Sequence, residues 1–104
     1  MKKINYKKEI NTSKILADCR PDWCFWLNNG KVLHNIYELL DALISMDDFT
    51  FKYHVNGEKD DFVKWINEVI CDKTLAKELL TVKNREDYVN KVKKRIKQLE
   101  KNNY

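Results

Sequence analysis

The stretch Asp60-Asp61-Phe62-Val63-Lys64-Trp65-Ile66-Asn67-Glu68-Val69-Ile70 decides the fold class of this 104-residue chain. Its apolar residues recur at positions i, i+3, i+4, i+7 and i+8, which is the pattern of an amphipathic α-helix. They are Phe62, Trp65, Ile66, Val69 and Ile70. Asp60 precedes them and can accept a hydrogen bond from a free backbone N–H in the first turn. We therefore expect a helix that begins after Asp60 and buries this apolar face in the core.

Three further helical patterns flank this stretch, each preceded by an Asn or Asp that can cap it. The capping residues are Asn35, Asp72 and Asn84. Their helices carry Ile36, Leu39, Leu40, Leu43 and Ile44; Leu75, Leu79 and Leu80; and Val89, Val92, Ile96 and Leu99. The last helix, about residues 85–99, is basic outside its apolar stripe. Together these patterns predict a compact bundle of about four helices.

Two short stretches between the helices carry a possible β element. Residues 24–27 form an apolar run that ends at Asn28-Asn29-Gly30, which favours a brief aromatic strand followed by a turn. Residues 49–55 fit two structures. Alternation of Phe49, Phe51, Tyr53 and Val55 indicates a strand, whereas Asp48 as an N-cap before Phe51, His54 and Val55 indicates one or two helical turns. The fold class is therefore mainly α, or α+β with a minor strand element.

The charge of the chain is unevenly distributed. The net charge is +4, but residues 1–14 carry +4, residues 83–101 carry +5, and residues 15–82 carry seven basic against twelve acidic side chains. We expect residues 1–22 to form a basic arm and connection, and residues 23–101 to form a single helical domain. Such basic ends can contact nucleic acid or an acidic partner, or they can dock onto the acidic body of the same chain.

Several short motifs follow one another in a characteristic order. They are Phe25-x4-Gly30, Leu39-x3-Leu43-x2-Met46, Phe51-x-Tyr53-His54-Val55-Asn56, Asp61-Phe62-x2-Trp65-Ile66 and Asp72-x2-Leu75-Ala76. Over about residues 24–82, this order resembles a small archaeal protein family of unknown function. The chain departs from that family at Cys71, where Gly is frequent, and at Asp60, where Asn is common. The resemblance implies one compact, mainly helical domain and no particular reaction, cofactor or ligand.

The candidate metal ligands are few and widely spaced. Cys19 and Cys24 form one pair, but His34 and His54 are single, whereas a structural zinc site normally combines two close pairs. The sequence therefore predicts no metal and no cofactor. In a reducing compartment the cysteines are expected to be free thiols, although Cys19 and Cys24 can pair if oxidised.

The best set of residues for acid–base chemistry is His54 with Asp60 or Asp61, because a carboxylate can orient an imidazole and raise its basicity. The chain offers no recognisable nucleophile motif and no glycine-rich phosphate loop. We therefore expect His54 to have a structural role, packed in the core with a ring nitrogen bonded to an oxygen. A small enzyme or ligand site around His54 remains an alternative.

Two sets of residues can contact a macromolecule. Trp23 follows Pro21-Asp22 and is the candidate exposed aromatic, whereas Lys91, Lys94, Lys97 and Lys101 lie off the apolar stripe of the last helix. A DNA-reading helix-turn-helix is not predicted, because the helix after Asp72 carries few side chains suited to base contacts.

The preferred hypothesis is a non-enzymatic, cytoplasmic interaction module that binds a protein partner or a second copy of itself and no membrane. The alternative is sequence-independent nucleic-acid binding through the basic ends. Convergence of the two basic ends in space would favour nucleic acid, and their neutralisation by the acidic body would favour a protein partner.

Overall fold

The computed structural model describes residues 12–102, in which helices follow one another with one small hairpin between them. Residues 12–16 form helix α1 and Pro21–Trp23 forms a 3₁₀ turn. Strands β1 (Phe25–Trp26) and β2 (Val32–Leu33) pair antiparallel. The other helices are α2 (Ile36–Ser45), α3 (Asp48–His54), α4 (Asp61–Trp65), α5 (Lys73–Leu79) and α6 (Arg85–Asn102). The predicted mainly helical fold is confirmed. Residues 1–11 of the expected basic arm lie outside the described residues.

Helix α4 begins where its cap predicts. Asp60 Oδ1 accepts a hydrogen bond from the Val63 N–H at 3.0 Å. After Trp65 the helix continues as a π-helical turn, Ile66–Ile70, and it ends at Cys71 with φ 67°. Glycine adopts this left-handed conformation without steric cost, whereas in Cys71 it brings unfavourable contacts of the Cβ.

The core is centred on the aromatic face of α4. The ring of Phe62 lies 5.0 Å from that of Phe25, 5.2 Å from that of His54 and 5.9 Å from that of Tyr88, measured between centroids. Phe62, Trp65, Ile66 and Ile70 of the predicted core face are buried, and Val69 is half-buried against the core. The cluster joins the hairpin, α3, α4 and α6.

Helix α6 packs against α2 and α5. Its cap is as predicted, because Asn84 Oδ1 accepts the Asp87 N–H at 2.8 Å. Its buried residues are Tyr88, Val92, Ile96 and Leu99. Val89, which the apolar stripe included, is only half-buried, and Tyr88 lies in the core in its place because its ring reaches Phe51 and Phe62.

Residues 48–54 are helical, which decides between the two predicted structures of this stretch. Asp47, rather than Asp48, caps α3, since Asp47 Oδ1 accepts the Thr50 N–H at 2.8 Å. Phe51 and His54 face the core, whereas Phe49 and Tyr53 are exposed.

The strand predicted near residues 24–27 is β1, and its partner β2 follows a turn at Gly30, whose φ is 93°. Ile44 and Leu80 fit the apolar patterns of their helices but are 54% and 56% exposed. A helical stripe in the sequence is therefore wider than the face that the neighbouring elements cover.

Candidate functional site

His54 is buried in the aromatic cluster, and both of its ring nitrogens are hydrogen-bonded. Nδ1 lies 2.9 Å from Asp61 Oδ2, and Nε2 accepts the Asn28 backbone N–H at 3.1 Å. Because a backbone N–H can only donate, Nε2 carries no proton and Nδ1 donates its proton to Asp61. His54 thus connects the hairpin turn to α4 as a neutral ring. The lone pair that a general base needs is already occupied.

The two carboxylates beside His54 in the sequence face different partners. Asp61 Oδ2 also accepts a hydrogen bond from Lys59 Nζ at 2.9 Å. Burial by itself would raise the pKa of Asp61, but the hydrogen bonds from Lys59 and His54 outweigh burial and lower this pKa. The structure therefore joins Asp61, and not Asp60, to His54.

Asp60 bonds to a residue of α6 instead of to His54. The Tyr88 hydroxyl lies 2.7 Å from Oδ1 and 2.9 Å from Oδ2 of Asp60. Burial raises the pKa of Asp60, although the bonds from Val63 and Tyr88 favour its ionised form. Burial and the nearby Asp60 charge also raise the pKa of Tyr88. This pair ties α6 to α4 and is separate from the His54 pair.

Trp23, the candidate exposed aromatic, is 49% exposed. Its backbone oxygen accepts a hydrogen bond from Trp65 Nε1 at 2.9 Å, and the guanidinium carbon of Arg20 lies 5.0 Å from its ring centroid. Trp26 and Phe49, which the sequence analysis did not single out, are more exposed, at 69% and 76%. Strand alternation was a usable signal for Trp26, because Phe25 points inward and its neighbour must point outward.

The predicted lysines of α6 are all exposed. Lys91, Lys94, Lys97 and Lys101 form no ion pair with any of residues 12–102. Lys91, Lys94, Gln98 and Lys101 are spaced three, four and three apart, so they lie along one edge of the helix. This α6 edge is about 15 Å long at the helical rise of ~1.5 Å per residue. Lys97, three residues after Lys94 and four before Lys101, lies next to this edge on the exposed side of the same helix.

Asp72 and Arg95 form a buried ion pair between α5 and α6. Arg95 Nε lies 2.8 Å from Asp72 Oδ2, and Arg95 Nη2 lies 3.0 Å from Oδ1. Oδ1 also accepts the Leu75 N–H at 3.1 Å, so Asp72 caps α5 as predicted. Both carboxylate oxygens are therefore occupied, and the plane of the guanidinium is fixed.

A cleft of about 810 Å³ opens beside this ion pair, between α1, the start of α5 and the end of α6. We call it the basic cleft, because its lining includes Lys14, Lys73, Arg95 and Lys101. Asp72 is the single carboxylate among the described lining residues, so the formal charge of these described residues is +3. Of these residues, only Lys101 was singled out from the sequence, since the others become neighbours through tertiary packing.

Two classes of site are absent from the described part of the chain. No three His, Cys, Asp or Glu side chains of residues 12–102 are arranged to hold a metal ion, and no helix there has the length and apolar composition to cross a membrane.

Cys19 and Cys24 are free thiols with their sulfur atoms 3.7 Å apart. Burial, together with the hydrogen bond to Cys24, raises the pKa of Cys19 to about 11.

Comparisons of the chain with protein-family models, curated proteins and solved structures give no match. The function is therefore inferred from the side chains themselves. The hydrogen bonds of the His54 cluster are satisfied internally. The lysines of the basic cleft and of the α6 edge, in contrast, form no ion pair with a carboxylate of the described residues.

Proposed function

We propose that this protein binds the phosphate backbone of nucleic acids without reading their sequence. The observation that carries this proposal is the meeting of Lys14, from the first basic segment, with Arg95 and Lys101 of the last one in a single cleft. Convergence of the basic ends is the feature that separates nucleic-acid binding from the protein-partner hypothesis. Lys14 is the described basic residue of the first segment, and its position beside Arg95 and Lys101 supports nucleic-acid binding.

The shape and chemistry of the α6 edge fit a phosphate backbone. Lys91 and Lys94 extend the cationic surface away from the basic cleft along one side of the helix. Lysines bind phosphates as flexible point charges, and phosphate contacts fix position without carrying sequence information. The acidic residues lie mostly in the segment 15–82, so the remaining surface repels a polyanion and orients the protein on it.

The test is a titration of labelled random duplexes and single strands at several salt concentrations. We expect a Kd of about 10⁻⁴–10⁻⁶ M at physiological salt, tightening steeply as salt is lowered. The double variant Lys91→Gln/Lys94→Gln should weaken binding equally for all sequences. It should also flatten the slope of log K against log salt by up to about 0.9 for each duplex phosphate contact that is lost.

The matched control is Lys31→Gln/Lys52→Gln, which removes the same charge from exposed positions outside the α6 edge and the cleft. A similar loss of affinity in both double variants would show that only net charge matters. That result, or an absence of binding at low salt, would contradict the proposal.

The exposed aromatics favour a second candidate function, binding of a protein partner or of a second copy of the chain. Trp26 and Phe49 present apolar surface to solvent, and aromatic anchors of this kind are enriched in protein interfaces. For self-association, sedimentation at increasing protein concentration should show dimers that the Trp26→Ser/Phe49→Ser variant does not form. A wild type that stays monomeric across the range would leave nucleic-acid binding as the preferred function.

A further inference from the structure

We propose that the basic cleft binds a compact polyphosphate group, the diphosphate or triphosphate of a small phosphorylated ligand. This inference shares its ground with the proposed function, because Lys14, Arg95 and Lys101 of the cleft support both. It adds a second class of ligand, a small molecule enclosed by the cleft rather than a strand lying along the α6 edge.

The size of the cleft fits such a ligand. Sites for small molecules and cofactors enclose roughly 300–1,000 Å³, and this cleft has a volume of about 810 Å³. Its walls come from α1, α5 and α6, so cationic groups approach from different sides. Apolar side chains of Ile15, Ile70 and Leu99 complete the lining.

The charge of the cleft selects a ligand with several negative charges. The +3 of the lining includes the Asp72 carboxylate, which is 1% exposed and has both oxygens bonded to Arg95. No carboxylate of the described lining is therefore free to repel an anion. A single phosphate monoester carries about −1.5 to −2 at neutral pH and neutralises only part of this charge, whereas a diphosphate or triphosphate can balance it.

Arg95 is the fixed donor of the site. Asp72 holds Nε and Nη2, while Nη1 forms no hydrogen bond with any of residues 12–102. A guanidinium that is already oriented loses little rotational freedom when it donates to a phosphate oxygen. Lys14, Lys73 and Lys101 are exposed, and Lys73 Nζ donates a hydrogen bond to Asn67 Oδ1 at 3.3 Å. Their long side chains can reach phosphate oxygens on either side of the ligand.

The lining also indicates what the cleft does not recognise. None of its described residues is aromatic, so it offers no ring on which a nucleobase can stack. Inorganic tripolyphosphate and ATP should therefore bind with similar affinity, because the phosphate chain supplies the recognised oxygens in both. This comparison distinguishes an inorganic polyphosphate from a nucleotide as the source of the group.

Calorimetric titration with inorganic tripolyphosphate, ATP and inorganic phosphate tests the proposal. We expect tripolyphosphate and ATP to bind in a saturable way, and phosphate to bind at least about tenfold more weakly because it meets fewer cations. Lys73→Gln/Lys101→Gln should weaken tripolyphosphate binding by about tenfold or more. Lys31→Gln/Lys52→Gln, with the same loss of charge, should leave it unchanged. All four lysines are exposed, so both variants should keep the wild-type melting temperature.

Three results would overturn the inference: no saturable tripolyphosphate binding, equal binding by the cleft variant and the wild type, or binding of ATP without tripolyphosphate, which would indicate recognition of the base. Titrations with nucleic-acid strands separate a failure of this inference from a failure of the proposed function. If strands bind through Lys91 and Lys94 while tripolyphosphate does not bind, the inference alone fails. If tripolyphosphate binds in the cleft and strands do not bind, the proposed function alone fails.

Discussion

At the residue scale, the burial of the Asp60 carboxyl group makes the free energy of unfolding depend on pH. Burial raises the pKa of this carboxyl group in the folded protein above its ordinary value. Between those two pKa values the folded state binds more protons than the unfolded chain, so the free energy of unfolding falls as pH rises. The charged carboxylate is tolerated because Val63 and Tyr88 donate hydrogen bonds to it.

Asp60→Asn should remove this pH dependence while its side-chain oxygen still accepts the Val63 N–H. We therefore expect the wild type to lose stability relative to the variant as pH rises from about 4, near the ordinary Asp pKa, toward neutrality. Urea unfolding at several pH values measures the difference. A difference that is constant or increases with pH would show that burial does not dominate at Asp60.

Asp47→Asn is the control with the opposite sign. Asp47 also caps a helix, but it is exposed, and the hydrogen bonds from Thr50 lower its pKa. Its stabilising contribution is present above the ordinary Asp pKa and is lost as pH falls through the lowered one. In urea unfolding, Asp60→Asn and Asp47→Asn should therefore change the dependence of the free energy of unfolding on pH in opposite directions.

At the scale of elements, the Asp72–Arg95 pair joins α5 to α6, and its two side chains differ in their exposure to water. Asp72 cannot reach water, whereas the Arg95 side chain is 16% exposed at the basic cleft. We expect Arg95→Met to lower the free energy of unfolding by about 3–5 kcal/mol, because it leaves a buried carboxylate without its partner. Asp72→Asn should cost less, since Asn retains the α5 cap and Arg95 can turn toward solvent. Urea unfolding of both variants tests this order, and a larger loss in Asp72→Asn would contradict it.

At the scale of the whole molecule, the aromatic cluster around Phe62 joins elements from the hairpin to the last helix. Phe62→Ala or Trp65→Ala should lower the free energy of unfolding by roughly 3–5 kcal/mol, because each leaves a large cavity in a closely packed core. Trp26→Ala is the matched control, since this ring is 69% exposed; it should change stability by no more than about 0.5 kcal/mol. Thermal and urea unfolding measure all three. Similar losses for Trp26 and Trp65 would mean that the core lies elsewhere.

Helix positions could be predicted because their signals act over a few residues. Asn35, Asp60, Asp72 and Asn84 each cap the helix that the apolar spacing predicts after them. Residues 49–55 could not be assigned, because their apolar residues fit both a strand and a helix. Packing of Phe51 and His54 against Phe62 favours the helix there.

The sequence by itself determined the mainly helical class, the core face of α4 and the presence of a basic segment at each end, because these depend on local spacing and composition. Only the tertiary structure decided that His54 bonds to Asp61 while Asp60 bonds to Tyr88. It also brought Lys14, Lys73, Arg95 and Lys101 to one cleft. Local propensities carry no information about such neighbours, since their distances depend on how separate helices pack and on which buried polar groups must be satisfied together.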